Sequence, residues 1–505
     1  MKKGKDGMNM EYNGFRDDVE KVVLLAPAGA GKTTWCIERI NELLVTADPL
    51  DIAFNTFTRR GIQEGKSRVM EKFRLTQDDL YYFSTWHAMT FRELGYKREQ
   101  LFTAKHRRKF NSFFSFQLQD SSKSDAIVTY DSKLMALYDA ERSGKSIVNE
   151  VYDIQKYTRF VSAYEAYKEA YGVKDFFDCL IDYTVSGKPL PVKYGFIDEA
   201  QDLSSLQWKV AYRALANCEK IFIAGDDYQS IYKYAGAKPE TLINLANNCK
   251  VEKLEKSYRL SRKVYELAKT ITDSIGVAVQ KDYVPAKDTV GKVEVISERE
   301  QLYKKLLNVS YEEKPYTDWF LLYRCNTHLD DTARFLMAQA IPFHDNRGFC
   351  IREQEFSFIE RYVNYSKDVV GFGTEIKKEE FAARYGVEDF SLHYSEQNFI
   401  AKERALFIQS YIEKYGFRKL KIMAMSRPTI LLSTVHKIKG GEAQNVAFFM
   451  DCTKKVYASR YADMDSELRL LYVACTRAIE NLYLIKSNSR YGLDDIILTL
   501  KDLTQ

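Results

Sequence analysis

The chain has 505 residues, 45% of them hydrophobic and 29% charged. That mix excludes a disordered or fibrous chain, and the length calls for several domains of ~100–200 residues each. Lys plus Arg exceed Asp plus Glu only by 75 to 70, too mild an excess to establish a nucleic-acid partner, although a basic groove fits within a near-neutral total. No run approaches the ~18 apolar residues of a membrane span. The basic start lacks the apolar stretch of a secretory signal. An intracellular, cytoplasmic setting with no membrane partner is therefore expected. The eight cysteines and six histidines show no CxxC or metal-ligand spacing, which suits a reducing compartment.

In chain order, the first apolar run is KVVLLA (21–26), followed by APAGAGKTT (26–34) and the helical pattern TTWCIERINELL. A strand, a glycine-rich loop and a helix in this order form a phosphate cradle. Its glycines let backbone N–H groups turn toward phosphate oxygens. Ala28, Gly29, Ala30 and Gly31 supply that backbone. Lys32 would reach the β- and γ-phosphates, and the Thr33 hydroxyl would bind Mg²⁺. Ala26 stands where the strict pattern has glycine. DIAFNTF (51–57) is a second strand, and residues 88–188 read as mostly helical.

YGFIDEA (194–200) and KIFIAGD (220–226) are further strands. IDEAQD places Asp198 at a strand end to hold Mg²⁺ and Glu199 beside it to polarise a water. DWFLLYR (318–324), TILLSTV (429–435) and NVAFFMD (445–451) are strands of a second group, interrupted by a helical stretch over 352–427. Continuous apolar runs of this length suit parallel strands buried on both faces, so an α/β fold with two parallel-sheet cores is expected. GDDYQSIYKYAGA (225–237), LEKSYRLS (254–261), STVHKIKGGE (433–442) and LRLLYVACTRA (468–478) supply Gln229, Arg259 and Arg477, polar groups suited to a γ-phosphate.

This motif series, covering most of residues 22–480, resembles the superfamily 1A DNA helicases of the UvrD/Rep type. The resemblance implies two RecA-like domains with ATP in the interdomain cleft, each carrying a helical insertion. On that reading, 1–87 and 189–250 form the first domain and 88–188 its insertion. Residues 251–351 and 428–505 form the second, with a short insertion at 352–427. It implies ATP and Mg²⁺ as cofactors, with Gly29, Gly31, Lys32, Thr33 and Thr34 on phosphates and metal. Asp198 and Glu199 become metal ligand and catalytic base. Gln229 senses the γ-phosphate, Tyr258 stacks on the base, Glu442 meets the ribose, and Arg259 and Arg477 act as arginine fingers.

The same resemblance assigns single-stranded DNA to Thr56, Phe57, Thr85 and His87, to the pair Tyr232 and Tyr234, and to Thr434, His436 and Lys437. Hydroxyls and amides hold phosphates without reading sequence, and aromatic faces accept any base. Trp86 is read as core. The run KHRRK (105–109) is either a solvated helix face or a contact to duplex phosphates. The expected partners are single-stranded DNA, single-strand/duplex junctions and replication or repair proteins.

The chain departs from the family pattern in five places. No glutamine precedes the phosphate loop, the first being Gln63, so relaxed nucleotide choice is expected. The second insertion is short. Tyr228 stands where Asp is common, and Gly441 where Leu is common. Tyr234–Ala235 replaces the frequent Trp–Arg. No nuclease-like acidic cluster follows residue 490, and no fused nuclease is expected. The favoured expectation is 3′→5′ translocation with duplex separation. A translocase that unwinds poorly and a DNA-regulated ATPase switch stay open beside it.

Overall fold

A computed structural model describes residues 14–57, 59–119, 129–148, 150–311, 317–356 and 402–496. Most of the second expected insertion, 357–401, lies outside the described residues. The chain groups into two compact units. The first comprises the residues up to Arg259, with Ile271–Ala286 and Met464–Tyr472, and the second comprises Leu260–Thr270, Lys287–Asp463 and the chain from Val473. The first unit thus takes in 271–286 and 464–472, which the sequence reading places in the second domain. The physical reason is hydrogen bonding to the body of that unit: Arg469 Nε donates to Asp227 O and Val279 N donates to Asp227 Oδ2, both at 2.9 Å.

In the first unit, strands β1 (Glu20–Leu25), β2 (Ile52–Thr56), β3 (Phe83–Thr85), β4 (Tyr194–Asp198), β5 (Lys220–Gly225) and β6 (Lys250–Lys253) form one sheet. Its order is β3-β2-β4-β5-β1-β6, and every pairing is parallel. The apolar runs explain this. Along β1, Val22 and Leu24 enter one core while Val23 and Leu25 enter the other. A strand with no polar face must be covered on both sides.

Helices α1 (Lys32–Leu43), α2 (Arg59–Phe73) and α3 (Trp86–Glu93) follow β1, β2 and β3. Trp86 is buried with Trp208 in the sheet core, as expected. Helices α4 (Ala104–Phe113), α5 (Tyr130–Arg142), α6 (Ile154–Tyr171) and α7 (Phe176–Ser186) fill most of the first insertion. Much of the chain's aromatic content packs there, as Phe110, Phe116, Phe160, Tyr164 and Tyr167 share one core. On α4, Lys105, Arg108 and Lys109 are exposed. Helices α8 (Ser205–Ala214) and α9 (Pro239–Asn248) complete the sheet's cover, and a short parallel pair joins β7 (Lys256–Ser257) to β8 (Val284–Pro285).

The second unit has its own sheet, built from β9 (Lys292–Ile296), β10 (Thr317–Tyr323), β11 (His344–Asp345), β12 (Gly348–Phe349), β13 (Ile430–Thr434), β14 (Ala443–Phe449) and β15 (Ala478–Ile485). Its order is β12-β11-β13-β10-β14-β15-β9. All pairings are parallel except β11 with β12. Tyr323 stacks on Phe449 with ring centroids 4.2 Å apart. The fold is thus α/β with two RecA-like parallel sheets. No described helix is long and apolar enough to cross a membrane.

Candidate nucleotide and nucleic-acid site

The loop after β1 owes its shape to two glycines with left-handed backbones, Gly29 (φ 73°) and Gly31 (φ 91°). A Cβ on Gly29 would lie 2.5 Å from the Arg259 Cβ, so glycine is needed for both conformation and close approach. The loop is held from behind. Ser257 Oγ donates to Ala28 O at 2.7 Å, Tyr258 N donates to Gly29 O at 2.9 Å, and Ala28 N donates to Tyr472 Oη at 3.0 Å. The segment 257–259 is thereby fixed against the loop, with the Tyr258 ring 62% exposed.

Gly31 precedes α1, whose N-terminus places Lys32, Thr33 and Thr34 at the positive end of the helix dipole. Lys32 is buried. Thr33 Oγ1 donates to Asp198 Oδ2 at 2.9 Å. The Thr34 hydroxyl accepts from Arg68 at 2.9 Å. Burial, with the neighbouring Glu199 charge, pushes the Asp198 carboxyl up to about 6, while Lys32 and the Thr33 hydroxyl oppose the rise. A hydroxyl beside a carboxylate that burial leaves uneasily charged is a hard-oxygen donor pair, which fits Mg²⁺. Among the described residues no group of three His, Cys, Asp or Glu could hold a metal by itself.

Glu199 sits at the end of β4 with φ 55°, a left-handed conformation costing a side-chain-bearing residue about 1–3 kcal/mol. Gln201 Nε2 donates to Glu199 Oε2 at 2.5 Å, and Gln201 Oε1 accepts Asp226 N at 2.9 Å. Asp226 Oδ2 accepts Gln229 Nε2 at 2.6 Å. Glu199, Gln201, Asp226 and Gln229 thus form one hydrogen-bonded line across the ends of β4 and β5. Tyr228, beside Gln229, is fully buried edge-to-face against Tyr472.

The first unit also brings together three of the aromatics expected on the DNA track. Phe57 stacks on Tyr232 at 5.3 Å, and Tyr232 lies 6.3 Å from Tyr234. Tyr234 is 58% exposed, and Lys145 of the insertion holds its carbonyl at 3.3 Å. Thr85 caps α3 by accepting Ala88 N, while the buried Thr56 hydroxyl has no partner among the described residues. His87 packs against the rings of Phe176 and Phe177.

In the second unit, Thr434 is buried at the end of β13, His436 is half-buried, and Lys437 and Glu442 are exposed. The Arg477 guanidinium is buried and donates to Val473 O at 2.9 Å and Gly441 O at 3.1 Å.

Residues 15–250 match the model of the UvrD/REP helicase N-terminal domain, and 429–485 match the UvrD-like helicase C-terminal domain. Between them these matches span more than half of the chain. The chain belongs to the UvrD/Rep helicase family. Similar relatives include the ATP-dependent DNA helicase Rep of Buchnera aphidicola subsp. Schizaphis graminum (strain Sg), 24% identical over 82% of this chain and 70% of the relative. The Rep helicase of Escherichia coli (strain K12) is 25% identical over 65% of this chain and 53% of the relative. The ATP-dependent DNA helicase PcrA of Staphylococcus aureus (strain Mu50 / ATCC 700699) is 21% identical over 79% and 62%. The chain spans about half the length of the Rep relatives from E. coli and from B. aphidicola subsp. Baizongia pistaciae, at 53% and 52%.

Against this UvrD/Rep frame, motif reading missed Gln201, Asp226, Ser257, Tyr472 and Lys281. The first four lie inside segments already singled out, namely IDEAQD, GDDYQ, LEKSYRLS and LRLLYVACTRA. Their polar groups face the loop or one another, and adjacency to a motif was the available signal. Lys281 lies in no motif, and no local pattern marks it.

Proposed function

We propose that this protein is an ATP-dependent motor that moves 3′→5′ on single-stranded DNA and separates duplex DNA. The observation that carries the reading is the hydrogen-bonded line from Glu199, beside the Asp198 carboxylate that Thr33 meets, to Gln229 in the segment bearing exposed Tyr234. The relatives named Rep and PcrA are ATP-dependent DNA helicases, and they support ATP as nucleotide and DNA as partner.

In this mechanism the backbone of residues 28–31 and the Lys32 ammonium bind the β- and γ-phosphates. Thr33 and Asp198 would hold Mg²⁺, which neutralises phosphate charge when bound. The Glu199 carboxylate orients a water and accepts its proton, and Gln201 keeps that carboxylate in place. Gln229 reports the γ-phosphate to Tyr232 and Tyr234, where bases stack. Tyr258 stacks on the nucleobase without a preceding glutamine to read it, and that favours tolerance of GTP. Arg259, Arg477 and Glu442 are assigned to phosphate and ribose on the resemblance. Thr56, Phe57, Thr85, His87, Thr434, His436 and Lys437 are assigned to DNA on the same ground. Single-strand/duplex junctions, and replication or repair proteins, are the partners this reading favours.

The test is ATP hydrolysis with and without single-stranded DNA, beside strand displacement on 3′-tailed and 5′-tailed duplexes. Stimulated hydrolysis with displacement of the 3′-tailed substrate is expected. Stimulation without displacement indicates a translocase. An ATPase rate indifferent to saturating single-stranded DNA sinks the motor reading.

A further inference from the structure

Lys281 is one of three buried lysines among the described residues and is 2% exposed. Burying an ammonium is unfavourable unless it is paired and hydrogen-bonded. Here the pairing is concentrated on the segment before Gln229. Lys281 Nζ donates to Asp227 Oδ1 and to Val279 O. It lies 3.2 Å from Asp226 Oδ1 and 3.4 Å from the centre of the Tyr228 ring. Three consecutive residues are thus gripped by one cation that arrives from more than 50 residues along the chain.

The grip is arranged around Asp226. Both of its carboxylate oxygens are used, Oδ1 toward Lys281 and Oδ2 toward the Gln229 amide, and its backbone N–H reaches Gln201. Asp227 is tied to the same segment from its other oxygen, which accepts Val279 N at 2.9 Å. Arg469 Nε donates to the Asp227 carbonyl, also at 2.9 Å. Removing the ammonium would leave two buried carboxylates uncompensated, with Asp226 Oδ1 resting on a 3.3 Å bond from Tyr228 N, and would drive the Asp226 side chain to turn. Gln229 Nε2 would turn with it, because the two share a 2.6 Å hydrogen bond.

We propose that Lys281 is a positioning residue for hydrolysis: it fixes the Asp226 carboxylate, and through it sets the orientation of the Gln229 amide. This rests on the functional reading above and names a residue that none of the motifs contains. Lys281 does not touch the phosphate loop, so its loss acts on turnover rather than on nucleotide capture. A lysine that merely holds the fold would show no such selectivity.

The experiment compares the full chain with Lys281→Met, Gln229→Ala and the double variant, measuring kcat and KM for ATP at saturating single-stranded DNA. Thermal melts establish that each variant is folded. Lys281→Met is expected to lower kcat about tenfold to a hundredfold, the scale of a misplaced reacting group, with KM kept within about twofold. The double variant is expected to be no slower than Gln229→Ala alone, since residues acting through one another do not add. Should Lys281→Met melt below the assay temperature, Lys281→Met with Asp227→Asn, which removes a carboxylate along with the ammonium, takes its place. An unchanged kcat, or losses from Lys281→Met and Gln229→Ala that multiply in the double variant, overturns the proposal while leaving the motor reading intact. A wild-type chain that hydrolyses no ATP with any DNA overturns both.

Discussion

The phenol of Tyr472 accepts the backbone N–H of Ala28 at 3.0 Å across 444 residues of sequence. This bond satisfies a loop amide that the turn leaves without a strand partner, and it does so in a fully buried position. Tyr472→Phe keeps the ring against Tyr228 and removes the hydroxyl that accepts from Ala28. A buried donor left unpaired costs about 1–3 kcal/mol. Chemical denaturation should register a loss of that size. A change within experimental error would mean that water replaces the phenol.

Glu199→Gln keeps shape and can still accept from Gln201, but it cannot take a proton from water. Positioned acid–base groups contribute on the order of 10²–10⁴-fold. Turnover should fall by that factor while ATP binding, measured with a fluorescent analogue, persists. Near-normal turnover would assign the base elsewhere.

Tyr234 is exposed, with its carbonyl held by Lys145 and its ring 6.3 Å from that of Tyr232. Tyr234→Ala should therefore leave the melting temperature unchanged and weaken single-strand binding by about 1–3 kcal/mol. The loss should be equal for different sequences, because a ring face reads no base identity. Unaltered affinity in a fluorescence-anisotropy titration would remove Tyr234 from the track.

Legibility in the sequence followed locality. The strands with unbroken apolar runs, such as β1, β5, β10 and β14, were evident because burial on both faces leaves no polar position. Strand β6 was not, because KVEK carries one apolar residue on a half-exposed edge, and β3 is three residues long. The phosphate loop and IDEAQD were legible because each function sits on consecutive residues. Lys281 and its partnership with Asp226 were not, because a contact between distant segments leaves no periodicity in either one. The grip of the 464–472 segment on the first unit was hidden for the same reason.

The helical insertion holds a buried ion cluster that no motif predicts. Arg142 donates to Asp175 at 2.8 Å and to Asp139 at 2.7 Å, while Lys168 bonds Asp178 at 2.7 Å. Burial pushes the Asp139 carboxyl up to about 6 despite Arg142, so the cluster is finely balanced. Arg142→Met strands buried carboxylates and should destabilise the chain by about 3–5 kcal/mol. Urea denaturation checks this. A loss under about 1 kcal/mol, the scale of a surface pair, would show that the cluster is wet.

His87 lies on the expected DNA track, and its environment fixes a sign. Its ring sits edge-on to Phe176 at 5.9 Å and Phe177 at 6.3 Å. Desolvation by these neighbours lowers its pKa from 6.5 to about 4, and the Asp175 carboxylate opposes only part of the fall. A depressed pKa means that the folded chain favours the neutral imidazole. The stability this contributes is fully present above pH 6.5 and is lost as pH falls through the interval down to about 4. The His87 ring resonance in an NMR titration should therefore have its midpoint near 4. On the proposed DNA track, His87 is then expected to act as a neutral hydrogen-bonding or stacking group, not as a cation on phosphate. The affinity ratio between the wild type and His87→Gln should then stay flat between about pH 5.5 and 7.5, where an ordinary histidine would change charge. A midpoint near 6.5, with a ratio that grows as pH falls, would place the imidazole in water and make it a phosphate contact after all.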